Sequence, residues 1–376
     1  MTRFAKAFVF LSLGLALGAG VCIAAEPSGE PIPLAMIVPL TGDFGEFGRA
    51  EVAAARLAVR QINDAGGLAG REVSVLVEDS ESSPERGAGT FARMLEANHA
   101  RFFYVASSGV ALAVAPLAER AGVFLLTDAA DPRVGEACSL AFRHCPDAGR
   151  ETERIAEYAM NELKLRTLAL FHVKGAYGDS YVVPFRRSVE SRGGRVVARD
   201  FFEQDQTEFR PQLSRLLSSR PDGIYFIGFG PSLANAIRQA RGLGFTGPIF
   251  AASSVAYRDT YAAAPEALEG TLYTDIMFTP GSGDARAQAF IEEYRRQSGG
   301  DPTPLVAMTY DAVTLMLEGI REVGDDPVRV RDWILKTKSR DGLSGRVTIE
   351  PDRRFRYDLA IWRVAGSKPA AVLGPR

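Results

Sequence analysis

The sequence is short of the residues that build reactive or metal-holding frameworks. Its 376 residues include three Cys, three His and two Trp. So few cysteines cannot staple a disulfide scaffold, and Cys and His this sparse exclude a zinc framework. His99, His144 and His172 lack metal-ligand spacing, and no His-Glu-x-x-His occurs. Charge of one sign is not in surplus either. Lys+Arg is 44 against Asp+Glu 46, a net of −2, without the basic excess of a nucleic-acid binder. There is no Gly-Lys-Ser/Thr phosphate loop and no Gly-x-Ser-x-Gly elbow. Gly228-Phe229-Gly230 begins a dinucleotide-like fingerprint, but Leu233 stands at the third glycine position. An ordinary strand-to-helix turn accounts for that pair of glycines. These absences predict a binding protein, not an enzyme, with no catalytic residues, no metal and no cofactor.

What is present reads as a soluble globular chain. Apolar residues make up 46% and charged residues 24%, ordinary for a folded domain. At about 150 residues per domain the length suggests two domains. The start is different. Arg3 and Lys6 precede an uncharged, mostly apolar stretch over 7–23, followed by Ala24-Ala25 and a polar segment. Basic start, apolar middle and small-residue exit describe a secretory signal peptide over 1–25. An uncleaved anchor is the alternative, since 17 residues are at the lower edge of a span. A lipoprotein reading is disfavoured by Val21 before Cys22. Cleavage removes Arg3, Lys6 and Cys22 and takes the net charge from −2 to −4. Cys138 and Cys145 then remain, and in an oxidising compartment they are expected to form a disulfide. The other use, a reactive thiol, lacks an evident activating base.

Strand and helix patterns alternate along the body. An almost continuous apolar run at 32–38 reads as a strand buried on both faces. Val52, Ala55, Val59 and Ile62 then form a helical stripe, stopped by Gly66-Gly67. Strands follow at 73–77, 102–106 and 123–127, with helices at 84–97 and 109–120 between them. A second series runs from about residue 150: helices at 151–163, 178–192, 209–218 and 231–243 alternate with strands at 167–172, 196–202, 223–227, 248–252 and 270–278. Three helices at 285–298, 305–323 and 327–336 precede a β-hairpin formed by 347–349 and 355–364. Alternation of this kind predicts parallel sheets covered by helices.

Open parallel sheets bind ligands beyond the carboxyl ends of their strands. Here those ends carry short hydroxyls, glycines and aromatics at 41–47, 79–82, 107–109, 127–131, 174–179, 229 and 253–254. Helices start directly after several of them, so exposed N–H groups face the crevice and suit a small acceptor-rich ligand. Ser and Asp at such places also serve as helix caps. Their recurrence in both series favours a binding site.

Several segments carry a family resemblance. Pro39-Leu40-Thr41-Gly42, Gly48 and Gln61-Ile62-Asn63-Asp64-Ala65-Gly66-Gly67-Leu68-Ala69-Gly70 lead it. Ser107-Ser108-Gly109, Asp131-Pro132, Phe142-Arg143, Tyr177-Gly178, Tyr310-Asp311-Ala312 and Leu343-Ser344-Gly345 continue it. Together they resemble periplasmic solute-binding proteins of the branched-chain amino acid (leucine/isoleucine/valine) class, over about residues 32–364. The resemblance implies an α/β fold of two Rossmann-like lobes with parallel central sheets, joined by three hinge crossovers: the type I periplasmic binding fold. It places lobe 1 at 31–148 plus 279–340, lobe 2 at 149–278 plus 341–366, and a C-terminal tail at 367–376. It also implies a periplasmic monomer that closes on a small-molecule ligand and delivers it to an inner-membrane ABC permease. The alternative is a ligand-sensing receptor of the same fold feeding a regulator.

The resemblance carries over unevenly to the ligand residues. Phe47 matches an aromatic that covers the ligand, and Ser108, beside Ser107, matches a hydroxyl donor to a carboxylate. Asp128-Ala129-Ala130 stands where the family has Ser-Ala-Thr, keeping backbone donors but losing the threonine hydroxyl. Tyr177 and Phe229 fall at aromatic positions of the second lobe. Ser253 falls where the family has the acid that holds an α-ammonium. A buried ammonium without a carboxylate is costly. Unless Asp128 or Asp43 substitutes, the ligand is then a small organic or aromatic acid or an amide.

Overall fold

The computed structural model describes residues 29–42, 44–278, 285–366 and 368–375. The expected signal peptide at 1–25, including Cys22, and Asp43 lie outside the described residues. The first sheet takes its strands from one stretch of chain: β1 (Ile32–Val38), β2 (Val73–Asp79), β3 (Phe102–Val105), β4 (Phe124–Thr127) and β5 (Ala141–Arg143). They are parallel, in the order β2-β1-β3-β4-β5. Helices α1 (Gly45–Asp64), α2 (Pro84–Asn98), α3 (Ser108–Ala121) and the short α4 (Arg133–Ala137) intervene. The two-residue period of β1 explains its unbroken apolarity. Leu34, Met36 and Val38 pack on one face with α1 and the helix Pro304–Val323, while Ala35 and Ile37 pack on the other with α2 and α3.

The second sheet is built the same way after α5 (Ala148–Glu157). Its strands are β6 (Thr167–Val173), β7 (Arg195–Phe202), β8 (Gly223–Ile227), β9 (Ile249–Ala251) and β10 (Leu272–Asp275). The chain then returns to the first lobe through the helices Ala285–Ser298, Pro304–Val323 and Pro327–Thr337, whose apolar faces join the core around α1. A small antiparallel sheet follows, β11 (Ser339–Gly342), β12 (Gly345–Ile349) and β13 (Phe355–Arg356). Strands β14 (Ala360–Ala365) and β15 (Lys368–Leu373) finally add antiparallel to the second sheet, giving β15-β14-β10-β9-β8-β6-β7. The chain thus passes between two α/β lobes three times. Among the described residues no helix is long and apolar enough to cross a membrane.

Several local expectations change. The hairpin around 350–354 forms, but 355–364 is not one strand: β13 belongs to the small sheet and β14 to the large one. Leu343, Val347, Ile349, Phe355, Tyr357 and Leu359 pack into the first lobe's core, whereas the sequence reading assigns 341–366 to the second. The tail at 367–376 contributes β15. The helix expected at 178–192 breaks at Tyr181, between Ala176–Ser180 and Val182–Glu190.

The expected disulfide is also corrected. Cys138 and Cys145 are both free thiols. A turn and β5 separate them, and an extended residue advances the chain by about 3.3 Å, whereas a disulfide needs Cα atoms about 4.4–6.8 Å apart. Cys138 is sealed among Val134, Leu140 and Ala141 on one side of the first sheet. Cys145 packs against the core on the other side.

Candidate functional site

Two strand-to-helix turns, one per lobe, set the frame of the cleft between the lobes. In each, an aromatic residue precedes a glycine that lies against the end of the first strand. A Cβ on Gly48 would stand 1.8 Å from the carbonyl oxygen of Pro39, and one on Gly178 would stand 1.8 Å from that of Val173. Only glycine allows these close approaches. They fix where Phe47 and Tyr177 leave the backbone.

The cleft holds a cavity of about 310 Å³ lined by both lobes. Phe44 and Phe47 reach it from the β1–α1 turn, and Tyr177, Phe229 and Tyr257 from the second lobe. The rings interlock. Phe47 stacks on Tyr257 at 4.3 Å between centroids and meets Phe229 edge-on at 5.1 Å. Phe229 also lies 4.1 Å from Phe44 and 4.4 Å from Tyr177. Such pairs contribute about 0.5–1.5 kcal/mol each beyond their buried area. The pairs that join Phe44 or Phe47 to Phe229 or Tyr257 cross from lobe to lobe, so they form only when the cleft is closed.

One wall is the start of α3. Ser108 is buried, and its Oγ accepts hydrogen bonds from the N–H groups of Ala130 at 3.1 Å and Asp131 at 3.4 Å. Those bonds use the oxygen's lone pairs and leave the hydroxyl proton to point at a ligand. Ser107, just before the helix, has φ of +71°, a strained value for serine. Its N–H donates to Asp128 Oδ1 at 2.7 Å, which holds it there.

The opposite wall adds two acids that the sequence reading did not single out. Glu151, in the first turn of α5, and Asp275, at the end of β10, both line the cavity, beside Thr274 and Tyr181. Both carboxyls are buried. The Thr274 hydroxyl lies 3.5 Å from Glu151 Oε2, and Asp275 Oδ1 accepts the N–H of Ile276 at 2.8 Å. Burial, with repulsion from Asp275 second, pushes the Glu151 pKa up to about 8. Burial pushes Asp275 up to about 7. Asp128 is also raised by burial, despite the bond from Ser107. Lys174 is the one basic residue among the described lining, and its Nζ is bound to Glu203 at 2.7 Å.

Of the residues expected at the site, Phe47, Ser107, Ser108, Asp128, Ala130, Tyr177, Phe229 and Ser253 line this one cavity. Ala129 does not: its side chain packs in the first lobe's core, and its N–H donates to Thr127 Oγ1 at 3.1 Å. His172 is buried behind the cavity, with Nδ1 3.0 Å from the Val173 carbonyl, and burial lowers its pKa. Asp275 follows the strand-end rule used for the other loops. Glu151 carries no such signal, because an acidic residue in a first helical turn reads equally well as a solvated face.

A family model described as periplasmic binding protein matches residues 31–369. The chain is 25% identical over 329 residues to the leucine-, isoleucine-, valine-, threonine- and alanine-binding protein of Pseudomonas aeruginosa, covering 86% of each. It is similar to a crystal structure of a leucine-binding protein from Thermotoga maritima, at 27% identity and TM-score 0.84, covering 91% of this chain and 97% of that one. A solute-binding protein from R. palustris in complex with benzoate shares the fold at 20% identity and TM-score 0.80, covering 91% of this chain and 96% of that one.

Proposed function

Because the chain belongs to the periplasmic binding protein family, whose members bind solutes without chemical conversion, we propose that it captures a small carboxylate-bearing solute. The ligand class runs from amino acids to related organic or aromatic acids and amides. The observation that carries this reading is the meeting of Phe47, Tyr177, Phe229 and Tyr257 from two lobes over one cavity. Rings of this kind cover the ligand's apolar body. The Ser108 hydroxyl and the first free N–H groups of α3 meet its carboxylate.

Ligand contacts both lobes only when they are closed, so binding shifts an open–closed equilibrium toward the closed form. An ABC permease in the inner membrane then recognises the closed shape and receives the solute. The first lobe comprises residues 31–42 and 44–148 with 285–359, and the second 149–278 with 360–366 and 368–373. The protein works as a periplasmic monomer after removal of the signal peptide.

A thermal-shift screen of the mature protein against amino acids, aromatic acids and amides tests this, followed by small-angle scattering with each hit. The expected result is a raised melting temperature together with a smaller radius of gyration. A hit that leaves the radius unchanged argues against closure, and no hit in any class rejects the ligand reading.

A further inference from the structure

Resting on that reading, we propose that Glu151 and Asp275 form a subsite for a protonated amine, so that the ligand carries a cationic nitrogen as well as its carboxylate. The two acids come from different elements and meet at the floor of the cavity, where the chain passes from one lobe to the other. Asp275 is 7% exposed, and among the described residues its side chain accepts only the N–H of its own neighbour Ile276. Among the described residues its second oxygen has no partner, and the residue lines the cavity. Glu151, also 7% exposed, meets the Thr274 hydroxyl at 3.5 Å and is hydrogen-bonded by the Tyr181 hydroxyl. No Lys or Arg pairs with either carboxyl among the described residues. A buried carboxyl keeps its charge only when a cation or metal pairs with it, and otherwise takes up a proton.

The nature of the missing partner follows from the surroundings. No three acidic, His or Cys side chains among the described residues are grouped to hold a metal, so a nitrogen cation fits better than a metal ion. Tyr177 and Tyr181, in contact at 5.2 Å between ring centroids, wall the same end of the cavity and suit the faces of a cation. The raised pKa values agree: burial lifts both acids, and Asp275 adds repulsion at Glu151, so a bound ammonium would favour their charged forms. The subsite lies on α5 and β10, away from Ser253, which carries no acid. The second lobe thus supplies carboxylates for an amine, while the first lobe supplies donors for a carboxylate.

Titration calorimetry with matched compounds tests the proposal. L-Leucine is compared with 4-methylpentanoate, L-phenylalanine with 3-phenylpropanoate, and 4-(aminomethyl)benzoate with 4-methylbenzoate; phenethylamine is the amine-only probe. In at least one pair the amine-bearing member is expected to bind at least about tenfold tighter, the scale of one charge-assisted bond. Glu151→Gln and Asp275→Asn should each remove that preference. Amine-free acids that bind as tightly as their partners overturn the subsite while leaving the carboxylate reading intact. Phenethylamine binding without any acid overturns the carboxylate reading while supporting the subsite. Silence from every probe overturns both. If Glu151→Gln does not fold, Asp275→Asn alone decides: a retained preference overturns the proposal.

Discussion

Glu46 of the first lobe accepts a hydrogen bond from the backbone N–H of Asp259 in the second lobe, at 2.9 Å. The N–H of Arg258 reaches the same carboxylate at 3.2 Å. The bonds bridge the cleft beside the Phe47–Tyr257 stack, so they belong to the closed state. The nearby Arg49–Asp259 ion pair, 3.7 Å apart and about half exposed on both sides, adds little. Glu46→Ala is expected to open the ligand-free protein and to weaken ligand binding by about 0.5–1.5 kcal/mol. Scattering measures the first effect and calorimetry the second. A variant with the wild-type radius and affinity would show that this contact contributes nothing to closure.

Removing one donor or one ring from the cavity has a separate cost. Ser108→Ala deletes the hydroxyl aimed at the ligand and also strips an acceptor from the Ala130 N–H. Tyr177→Ala deletes a ring packed against Phe229. Each is expected to weaken binding by roughly 1–3 kcal/mol. Wild-type affinity in both variants would mean that the ligand sits elsewhere.

Stability should depend on pH through the two buried acids. Glu151 and Asp275 hold their protons up to about 8 and about 7 in the folded chain, against about 4 in an unfolded one. The folded state therefore binds more protons between those values. The contribution of both groups is fully present below pH about 4 and is lost as pH rises through 7 to 8. The melting temperature of the ligand-free protein should fall across that range, and Glu151→Gln should flatten the fall. An unaltered slope in the variant would count against a raised pKa at this residue.

Thiol chemistry checks the correction at Cys138 and Cys145. The mature, denatured protein should react as two free thiols without prior reduction, and reductant should leave the melting temperature unchanged. Burial pushes the Cys138 thiol up to about 11, so it should react slowly in the native state. One disulfide found by mass spectrometry in the native protein would reverse the assignment.

The sequence conveyed much of this architecture because its strands are short apolar runs and its helices carry clear stripes. Ile32–Val38 and Pro304–Val323 are such elements. Cues failed where tertiary pairing decides. Strand β5 is three residues long, and β15 exists because β14 offers it an edge. Within the site, residues at strand ends were legible, since topology brings those ends together. Glu151 was not, because its role depends on what faces it across the cleft. Ala129 looked equivalent to its neighbours, yet the chain's turn after β4 directs its side chain into the core.

Gly48 and Gly178 have a consequence for how such a protein changes over time. With a carbonyl oxygen 1.8 Å from any added Cβ, the roots of both aromatic-bearing turns are rigidly specified. The turns cannot wander to suit a new solute. Ligand range in this frame is altered by exchanging the rings and acids that hang from a fixed backbone, leaving hinge and closure undisturbed. A change of diet then needs few substitutions and no redesign of the machine.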